Sequence, residues 1–404
     1  MKRNYQFIPV VVLWISLFGC NAQINETKEN ITKPAHVGGA FENNLFAYYG
    51  IPKSIMAVDT SPGWNLAGEK LLLTGTVYEP NGTTPASNVL LYYYQTNTEG
   101  RYIHRSEEMR SMPPNEKGQT HGYIRGWVKT DSLGRYFIYT VRPGVYPTLD
   151  APAHVHATIK EPGDMNEYYI DDFIFDDDKL LNTAYRMKME NRGGSGVLRL
   201  VYKDNIAIGE RNIILGLNIP QYPVKYTSPI LSGVNVGEDV MSFIPHHAWG
   251  PYKGTRTCPV CKYAWYQGIL YFVGNNPDWE EIKQWLSFLE NESRKREKYL
   301  KVYFVYGNEH DYNKNNRQSE LEKIGKQLKL EKVALTHVPS FTDSESEIDL
   351  IKINQEVDNT FIIFKRCKTM AKFVNLKPSK ENFHSISQVL DQSVNEYFKL
   401  PKGK

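Results

Sequence analysis

The sequence predicts two domains in series, an all-β sandwich followed by an α/β domain. Short β-branched or aromatic runs separated by turn residues fill residues 71–219, whereas helical periods alternate with strands after about residue 233. The length of 404 residues suits two domains with connecting segments. A hydrophobic fraction of 41% and a charged fraction of 23% are ordinary for a globular protein with a buried core.

The sandwich is predicted from a series of short runs without a convincing helical period. These runs are residues 71–77, 89–94, 136–141, 154–159, 168–175, 197–202 and 213–219. Turn signals such as Pro80-Asn81-Gly82 and Pro143-Gly144 lie between them. Short strands in this number and with such turns are typical of a β-sandwich, which we place at residues 67–222.

The second domain, placed at residues 240–404, shows a different pattern. A strand at 269–273 precedes a helix at 278–296, for which Asp278 is a suitable N-cap. A strand at 302–306, a helix at 319–328, a two-strand ribbon at 361–364 and 370–374, and a helix at 382–398 complete the order. This order resembles thioredoxin over about residues 250–395.

The N-terminus predicts export. Lys2 and Arg3 precede an apolar run at 7–18, which is too short to span a membrane comfortably and is typical of a signal peptide over residues 1–19. Leu17 and Gly19-Cys20 resemble the lipobox of bacterial lipoproteins, so Cys20 would carry the lipid anchor on the periplasmic or outer-membrane side. The alternative is a simple cleaved signal peptide with an incidental Cys20. Residues 20–66 then form a polar tether and lead-in.

The overall charge gives little information about partners. A net charge of +3, without basic runs that interleave aromatics, predicts no nucleic-acid binding. Protein partners and oligomeric state leave no sequence signal.

Two histidines on one predicted strand are candidate metal ligands. In the run Ala153-His154-Val155-His156, alternation places both imidazoles on the same face, roughly 7 Å apart at Cα. Such a pair can converge on one metal ion. By itself the pattern is equally compatible with two solvated histidines on a polar face.

Four collinear motifs extend this observation. They are Gly100-Arg101-Tyr102, Thr130-Asp131-Ser132-Leu133-Gly134-Arg135-Tyr136, Arg142-Pro143-Gly144-Val145-Tyr146-Pro147 and Pro152-Ala153-His154-Val155-His156. In this order the segments resemble the intradiol ring-cleavage dioxygenases, which include the protocatechuate and catechol dioxygenases. The resemblance covers roughly residues 71–180.

The resemblance implies a non-haem ferric iron, Fe(3+), bound by Tyr102, Tyr146, His154 and His156. Phenolate is a hard anionic donor, and two such oxygens favour ferric over ferrous iron. The implied reaction is dioxygenation of a catechol-type aromatic diol, with both atoms of O₂ incorporated. In it Tyr146 would take a substrate proton, and Arg101 is a second candidate catalytic residue.

The chain departs from the family pattern beside these ligands. Family members typically have an arginine where this chain has Ala151, and a glutamine where Asp172 stands. Loss of a fixed cation weakens the stabilisation of negative charge on the ring. Arg101, Arg142 or His104 could supply a cation, or each could be a solvated rim charge.

The pair Cys258 and Cys261 carries separate chemistry. In thioredoxins the CxxC follows the first core strand, but here that place reads Gly274-Asn275-Asn276-Pro277 and the CxxC lies upstream. Three interpretations stay open: a structural disulfide, a relocated redox pair, and half a zinc site completed by Cys367 with His246 or His247.

The sequence therefore favours an exported, lipid-anchored dioxygenase with a thioredoxin-like second domain. Two alternatives belong to other classes. One is a cell-surface binding module whose sandwich is not catalytic, and the other is a thiol–disulfide redox protein working through Cys258 and Cys261.

Overall fold

The computed structural model describes residues 44–223, 232–297, 299–310 and 312–394. The predicted signal peptide, Cys20 and residues 21–43 of the tether lie outside the described residues. Within the described ranges, no helix is long and apolar enough to cross a membrane. These described ranges all belong to one compact unit.

The first part of the chain is built from strands, with two one-turn helices, α1 (Asn44–Tyr48) and α2 (Thr183–Arg186), and a 3-10 turn at Pro62–Asn65. The strands are β1 (Val58–Thr60), β2 (Lys70–Tyr78), β3 (Leu90–Gln95), β4 (Arg125–Lys129), β5 (Arg135–Val141), β6 (His154–Lys160), β7 (Tyr168–Tyr169), β8 (Phe173–Phe175), β9 (Val197–Leu198), β10 (Val201–Lys203), β11 (Ile206–Glu210) and β12 (Ile213–Ile214).

These strands form two sheets that share one core. One sheet has the order β1-β5-β2-β11-β10, with β12 also pairing with β2. The other has the order β4-β3-β6-β8-β9, with β7 also pairing with β6. Leu71 of β2 and Ile138 of β5 lie in the same buried cluster as Leu91 of β3 and Val155 of β6. The predicted β-rich first part is therefore confirmed, with its core between the two sheets.

The second part of the chain is an α/β layer structure. Its elements are β13 (His246–Trp249), α3 (Pro259–Lys262), β14 (Gln267–Val273), α4 (Trp279–Arg296), β15 (Leu300–Tyr306), α5 (Lys314–Gln327), β16 (Val333–His337), a 3-10 turn (Ile348–Ile351), β17 (Thr360–Lys365), β18 (Lys368–Val374) and α6 (Lys380–Gln392). The sheet order is β13-β16-β15-β14-β17-β18, and β14, β15 and β16 are parallel.

Apolar residues on both faces hold this second sheet in place. Trp285 and Leu289 of α4 pack with Ile269 and Phe304 on one face, and Phe272 packs with other apolar residues on the opposite face. The Asp278 side chain accepts hydrogen bonds from the first amides of α4, as its predicted N-cap role requires. The identification of this half as thioredoxin-like stays a prediction.

Buried ion pairs connect the two parts of the chain. The Glu210 carboxylate at the end of β11 lies 3.1 Å from Lys365 Nζ and 3.5 Å from Arg366 Nη1, and all three side chains are nearly buried. Arg199 and Lys368 both lie within ion-pair distance of Asp239. These ion pairs form a polar contact between the sandwich and the α/β part.

Several strands of the structure were not predicted from the sequence. β1 lies in the segment assigned to the lead-in and pairs with β5. β13 and β16 carry histidines and a threonine in runs of only four and five residues, so their pattern lacks a clear apolar signal. The run predicted as one strand at 168–175 is divided into β7 and β8, and the helix predicted at 319–328 begins earlier, at Lys314.

Candidate metal centre

The two predicted metal-binding histidines share one face of β6. Val155 and Ala157 between and after them are fully buried in the core between the two sheets. His154 and His156 point to the opposite face, where their Nε2 atoms lie 3.1 Å apart. Strand alternation therefore brings the two imidazoles together as the sequence predicts.

Hydrogen bonds at the far side of each ring fix which nitrogen is free to bind. His154 Nδ1 lies 2.7 Å from the Pro152 carbonyl oxygen, and His156 Nδ1 lies 2.9 Å from Asp172 Oδ1. A carbonyl and a carboxylate only accept hydrogen bonds, so both Nδ1 atoms donate and both Nε2 atoms carry lone pairs. Burial lowers the pKa of His154, which favours its neutral, ligating form.

The two tyrosines reach the same point from separate loops. Tyr146 Oη lies 3.1 Å from His154 Nε2 and 3.2 Å from His156 Nε2, and Tyr102 Oη lies 2.9 Å from Tyr146 Oη. Burial raises the pKa of Tyr102, and the neighbouring Tyr146 raises it further. Without a cation nearby, Tyr102 is therefore a neutral phenol.

A glycine allows the two tyrosine loops to meet. Gly100 has φ +77°, and a Cβ built on it would lie 1.7 Å from the Val145 carbonyl oxygen. The loops are also joined by the Gly144 amide, which donates to the Asn97 carbonyl at 2.9 Å. Only glycine permits this close backbone approach two residues before Tyr102.

The four donor atoms fit a hard, highly charged cation. Two imidazole lone pairs only 3.1 Å apart repel one another, and a cation that both can bind removes that repulsion. The phenols add two oxygens that become anionic when they bind a metal. His154, His156 and Asp172 also form a compact group of three side chains with metal-binding atoms. The Asp172 oxygen, however, is hydrogen-bonded on the Nδ1 side of His156, away from the four converging atoms.

An open cleft of about 1250 Å³ leads to the phenols. Tyr94 stacks on His156 with ring centroids 4.5 Å apart and on His121 with centroids 3.5 Å apart. His121 lies 2.7 Å, through Nδ1, from the Tyr92 hydroxyl, and Phe46 of α1 meets it edge-on. Burial lowers the pKa of His121 to about 3, so this ring is a neutral part of the cleft wall.

The predicted cations beside the site are placed as follows. Arg101 is exposed and lines the cleft together with Lys117. Arg142 lies in ion pairs with Glu69 and Asp177, so it is engaged elsewhere. His104 Nδ1 lies 2.8 Å from Ser111 Oγ, outside the cleft lining. Among these candidates, Arg101 alone contributes a cation to the cleft.

The aromatic wall formed by Tyr94, His121 and Phe46 was not predicted from the sequence. Tyr94 could have been found from alternation once β3 was known to pair with β6, because Tyr94 lies directly opposite His156. His121 and Phe46 belong to segments without regular spacing from the motifs. No local pattern signals their contact.

Cys258 and Cys261 form a disulfide at the start of α3. Neither sulfur is then available as a thiolate ligand, so the half-zinc interpretation is wrong for this state of the protein. Both ring nitrogens of His247 lie within hydrogen-bond distance of carbonyl oxygens, those of Pro251 and Thr257. Cys367 is a buried free thiol whose pKa burial raises to about 11.

Comparison with known proteins agrees with the motifs around this site. Residues 56–191, which contain all four candidate ligands, match a family model described as Dioxygenase (Dioxygenase_C). This segment is dioxygenase-like. The protocatechuate 3,4-dioxygenase beta chain of Burkholderia cepacia is 33% identical over 98 residues. That match covers 23% of this chain and 39% of the relative, so the chain spans less than half of the relative's length.

Two solved structures are also similar to the chain. An intradiol ring-cleavage dioxygenase from Tetranychus urticae is 17% identical, with a TM-score of 0.30. That match covers 48% of this chain and 96% of the Tetranychus chain. A proposed thiol:disulfide interchange protein DsbE from Chlorobium tepidum is 12% identical, with a TM-score of 0.31. That match covers 39% of this chain and 97% of the DsbE chain. TM-scores this low do not establish a shared fold, so the dioxygenase-like assignment rests on the family match and the curated relative.

Proposed function

We propose that the dioxygenase-like segment holds ferric iron through Tyr102, Tyr146, His154 and His156 and opens catechol-type aromatic diols with O₂. The observation that carries this proposal is the convergence of two imidazole nitrogens and two phenol oxygens, with neighbouring atoms 2.9–3.2 Å apart, beside an open cleft. Bound iron supplies a Lewis acid that lowers the pKa of the diol and orients both of its oxygens.

The protein groups around this point have separate tasks. Tyr146 Oη lies nearest the other three donor atoms, and we assign it as the group that takes a proton from a substrate hydroxyl. Tyr94 and His121 line the cleft, and because their rings are stacked on each other and nearly buried, they give it a rigid aromatic side against which a planar ring can pack. Arg101, at the exposed rim, complements negative charge that develops on the substrate.

Metal content, colour and turnover test the proposal together. Protein loaded with iron should be red-brown because of tyrosinate-to-iron charge transfer, and the absorption band should shift when catechol is added. O₂ uptake should match the amount of ring-opened product.

Tyr146→Phe should lower kcat by about 10²-fold or more, as expected for loss of a proton-transfer group. The surface variant Tyr202→Phe, which removes only a hydroxyl bonded to Glu69, is the matched control. A colourless wild-type protein after expression with added iron contradicts the proposal.

A second candidate function rests on the Cys258–Cys261 disulfide, because Cys261 is exposed and open to attack by an external thiol. Reduction of a protein disulfide by the purified chain, lost on double serine substitution, supports thiol–disulfide exchange. Equal activity in the double serine variant excludes it. If iron is bound but neither reaction occurs, the chain is a binding module.

The cellular location is part of the same proposal. We propose export and lipidation at Cys20, supported by Lys2, Arg3 and the apolar run before Gly19. Labelling with a fatty-acid analogue should modify the wild-type protein and not Cys20→Ala. Labelling of both forms, or of neither, contradicts lipidation at Cys20.

A further inference from the structure

A carboxylate supports one of the two metal-binding histidines and not the other. Asp172 Oδ1 accepts the Nδ1 hydrogen of His156 at 2.9 Å, whereas His154 donates to the neutral carbonyl of Pro152. The two imidazoles, otherwise equivalent on β6, therefore differ in the charge behind them.

The main chain holds Asp172 firmly in this position. A Cβ on Gly196 would lie 2.0 Å from the Asp172 carbonyl oxygen, so the two backbones are in close contact. The neighbouring Asp171 accepts hydrogen bonds from the amides of Asn191 and Arg192, at 2.9 Å and 3.0 Å. Asp172 is thus fixed from both sides, with 27% of its side chain exposed toward a second cleft behind His156.

We propose that Asp172 is a positioning residue that strengthens electron donation from His156 to bound iron and so stabilises the ferric state. The inference rests on the proposed ferric site. A carboxylate that accepts the second N–H of a ligating histidine fixes the ring and raises its basicity. Its negative charge also opposes reduction of Fe(III), because it attracts the ferric ion, with three positive charges, more strongly than the ferrous ion, with two.

Charge at the site gives a second reason. Ferric iron carries three positive charges, the two phenolates of Tyr102 and Tyr146 carry two negative ones, and the Asp172 carboxylate adds a third. The assembly is then neutral before substrate binds. With a neutral side chain at position 172 it would carry one positive charge, which would make the iron a stronger Lewis acid and raise its reduction potential.

Three substitutions distinguish the effect of the hydrogen bond to His156 from the effect of the charge and from that of a charge at a different position. Asp172→Asn keeps an oxygen that can accept from Nδ1 but removes the charge, and Asp172→Ala removes both. Glu190→Gln removes one charge from the second cleft, where the Glu190 side chain pairs with Arg192, so it is the matched control. Each protein is purified with iron, and iron is then withdrawn by a competing chelator while the visible spectrum and reduction potential are recorded.

We expect Asp172→Asn to bind iron about tenfold and Asp172→Ala up to about a hundredfold more weakly than wild type. The charge-transfer band should move to longer wavelength and the reduction potential should rise in both variants. Glu190→Gln should keep the wild-type band and affinity. Asp172→Glu, which restores the charge, should return the band toward its wild-type position. If Asp172→Asn does not fold, the comparison of Asp172→Glu with Asp172→Ala tests the role of the charge instead.

Three outcomes would overturn the inference. An unchanged band and affinity in Asp172→Asn would make the residue merely structural. A loss of iron far beyond a hundredfold would make it a direct ligand. A wild-type protein that binds no iron would rule out a role of Asp172 in iron binding. Failure of the proposed reaction is recognised separately, because iron-loaded wild type would then keep its colour and open no catechol.

Discussion

Tyr94 and His156 lie directly opposite one another in the antiparallel pairing of β3 and β6, and their rings stack with centroids 4.5 Å apart. Residues opposed in this way are the nearest neighbours across two strands. The pairing register itself therefore provides a packed face for one of the two imidazoles proposed to bind the metal. His121 contacts Tyr94 in turn, so the support extends to the wall of the cleft.

Removing the ring of Tyr94 should weaken iron binding. Aromatic pairs contribute about 0.5–1.5 kcal/mol beyond their buried area, which corresponds to an affinity loss of up to about tenfold. We expect this loss in Tyr94→Leu, measured by titration with a competing chelator. Tyr94→Phe keeps the stacking face and should bind iron nearly as wild type does. Equal iron affinity in Tyr94→Leu and wild type would show that the stack does not position His156.

Gly100→Ala should separate the two tyrosine loops. The added Cβ would lie 1.7 Å from the Val145 carbonyl oxygen, and the φ of +77° would itself be strained. Gly163→Ala is the matched control, since Gly163 has φ +94° but a Cβ added there would meet no atom within 4 Å. The control should lose about 1–2 kcal/mol of unfolding free energy. Gly100→Ala should lose about 1–3 kcal/mol more, together with iron uptake.

Denaturant unfolding and metal analysis of the two glycine variants distinguish the effect of the steric clash with Val145 from the effect of backbone strain at a positive φ. If both variants lost the same free energy and both kept iron, the close approach at Gly100 would not be needed for the site.

The site was partly predictable because its four candidate ligands lie in local motifs. The spacing of His154 and His156 on a strand gave their shared face, and the family resemblance supplied Tyr102 and Tyr146. The aromatic wall was not predictable, because contacts such as Tyr94 with His121 depend on pairings between segments distant in the chain. Asp172 was noticed only as a departure from the family pattern, and its hydrogen bond to His156 required the structure.

The fold shows the same division. Long strands with clear composition, such as β2 and β5, were predicted within one or two residues. β16 was missed although it is fully buried, because the short run from Val333 to His337 ends in two polar residues. Thr336 satisfies its hydroxyl by donating to the Phe304 carbonyl, a contact that the sequence does not signal.

Iron uptake should release protons. Burial raises the pKa of Tyr102 above its ordinary value near 10, so its phenol is protonated at neutral pH and must lose that proton to bind iron. With two phenols as ligands, we expect about two protons released per ion, and an apparent affinity that rises about a hundredfold per pH unit. Tyr102→Phe should release about one proton fewer when the same ferric chelate is supplied. Equal release from both proteins, followed with a pH indicator in weak buffer, would exclude Tyr102 as a phenolate ligand.

His337 should make the iron-free protein less stable in mild acid. Its side chain is fully buried at the end of β16, and neither ring nitrogen has a hydrogen-bond partner among the described residues. Burial lowers the pKa of His337 to about 3, with the neighbouring His246 acting in the same direction. Unfolding returns that pKa to about 6.5, so the unfolded chain binds one more proton between these values.

The sign of the effect follows from this difference in bound protons. Stability that is fully present above about pH 6.5 is lost as the pH falls, at about 1.4 kcal/mol per unit, until the folded-state pKa near 3 is reached. His337→Leu removes the titrating group, so its unfolding free energy should fall less steeply by that amount between pH 6 and 4, measured by urea unfolding. Replacement of the exposed His384 on α6 by leucine should leave the slope unchanged. Parallel slopes for wild type and His337→Leu would mean that the buried ring opens to solvent and takes up its proton without unfolding.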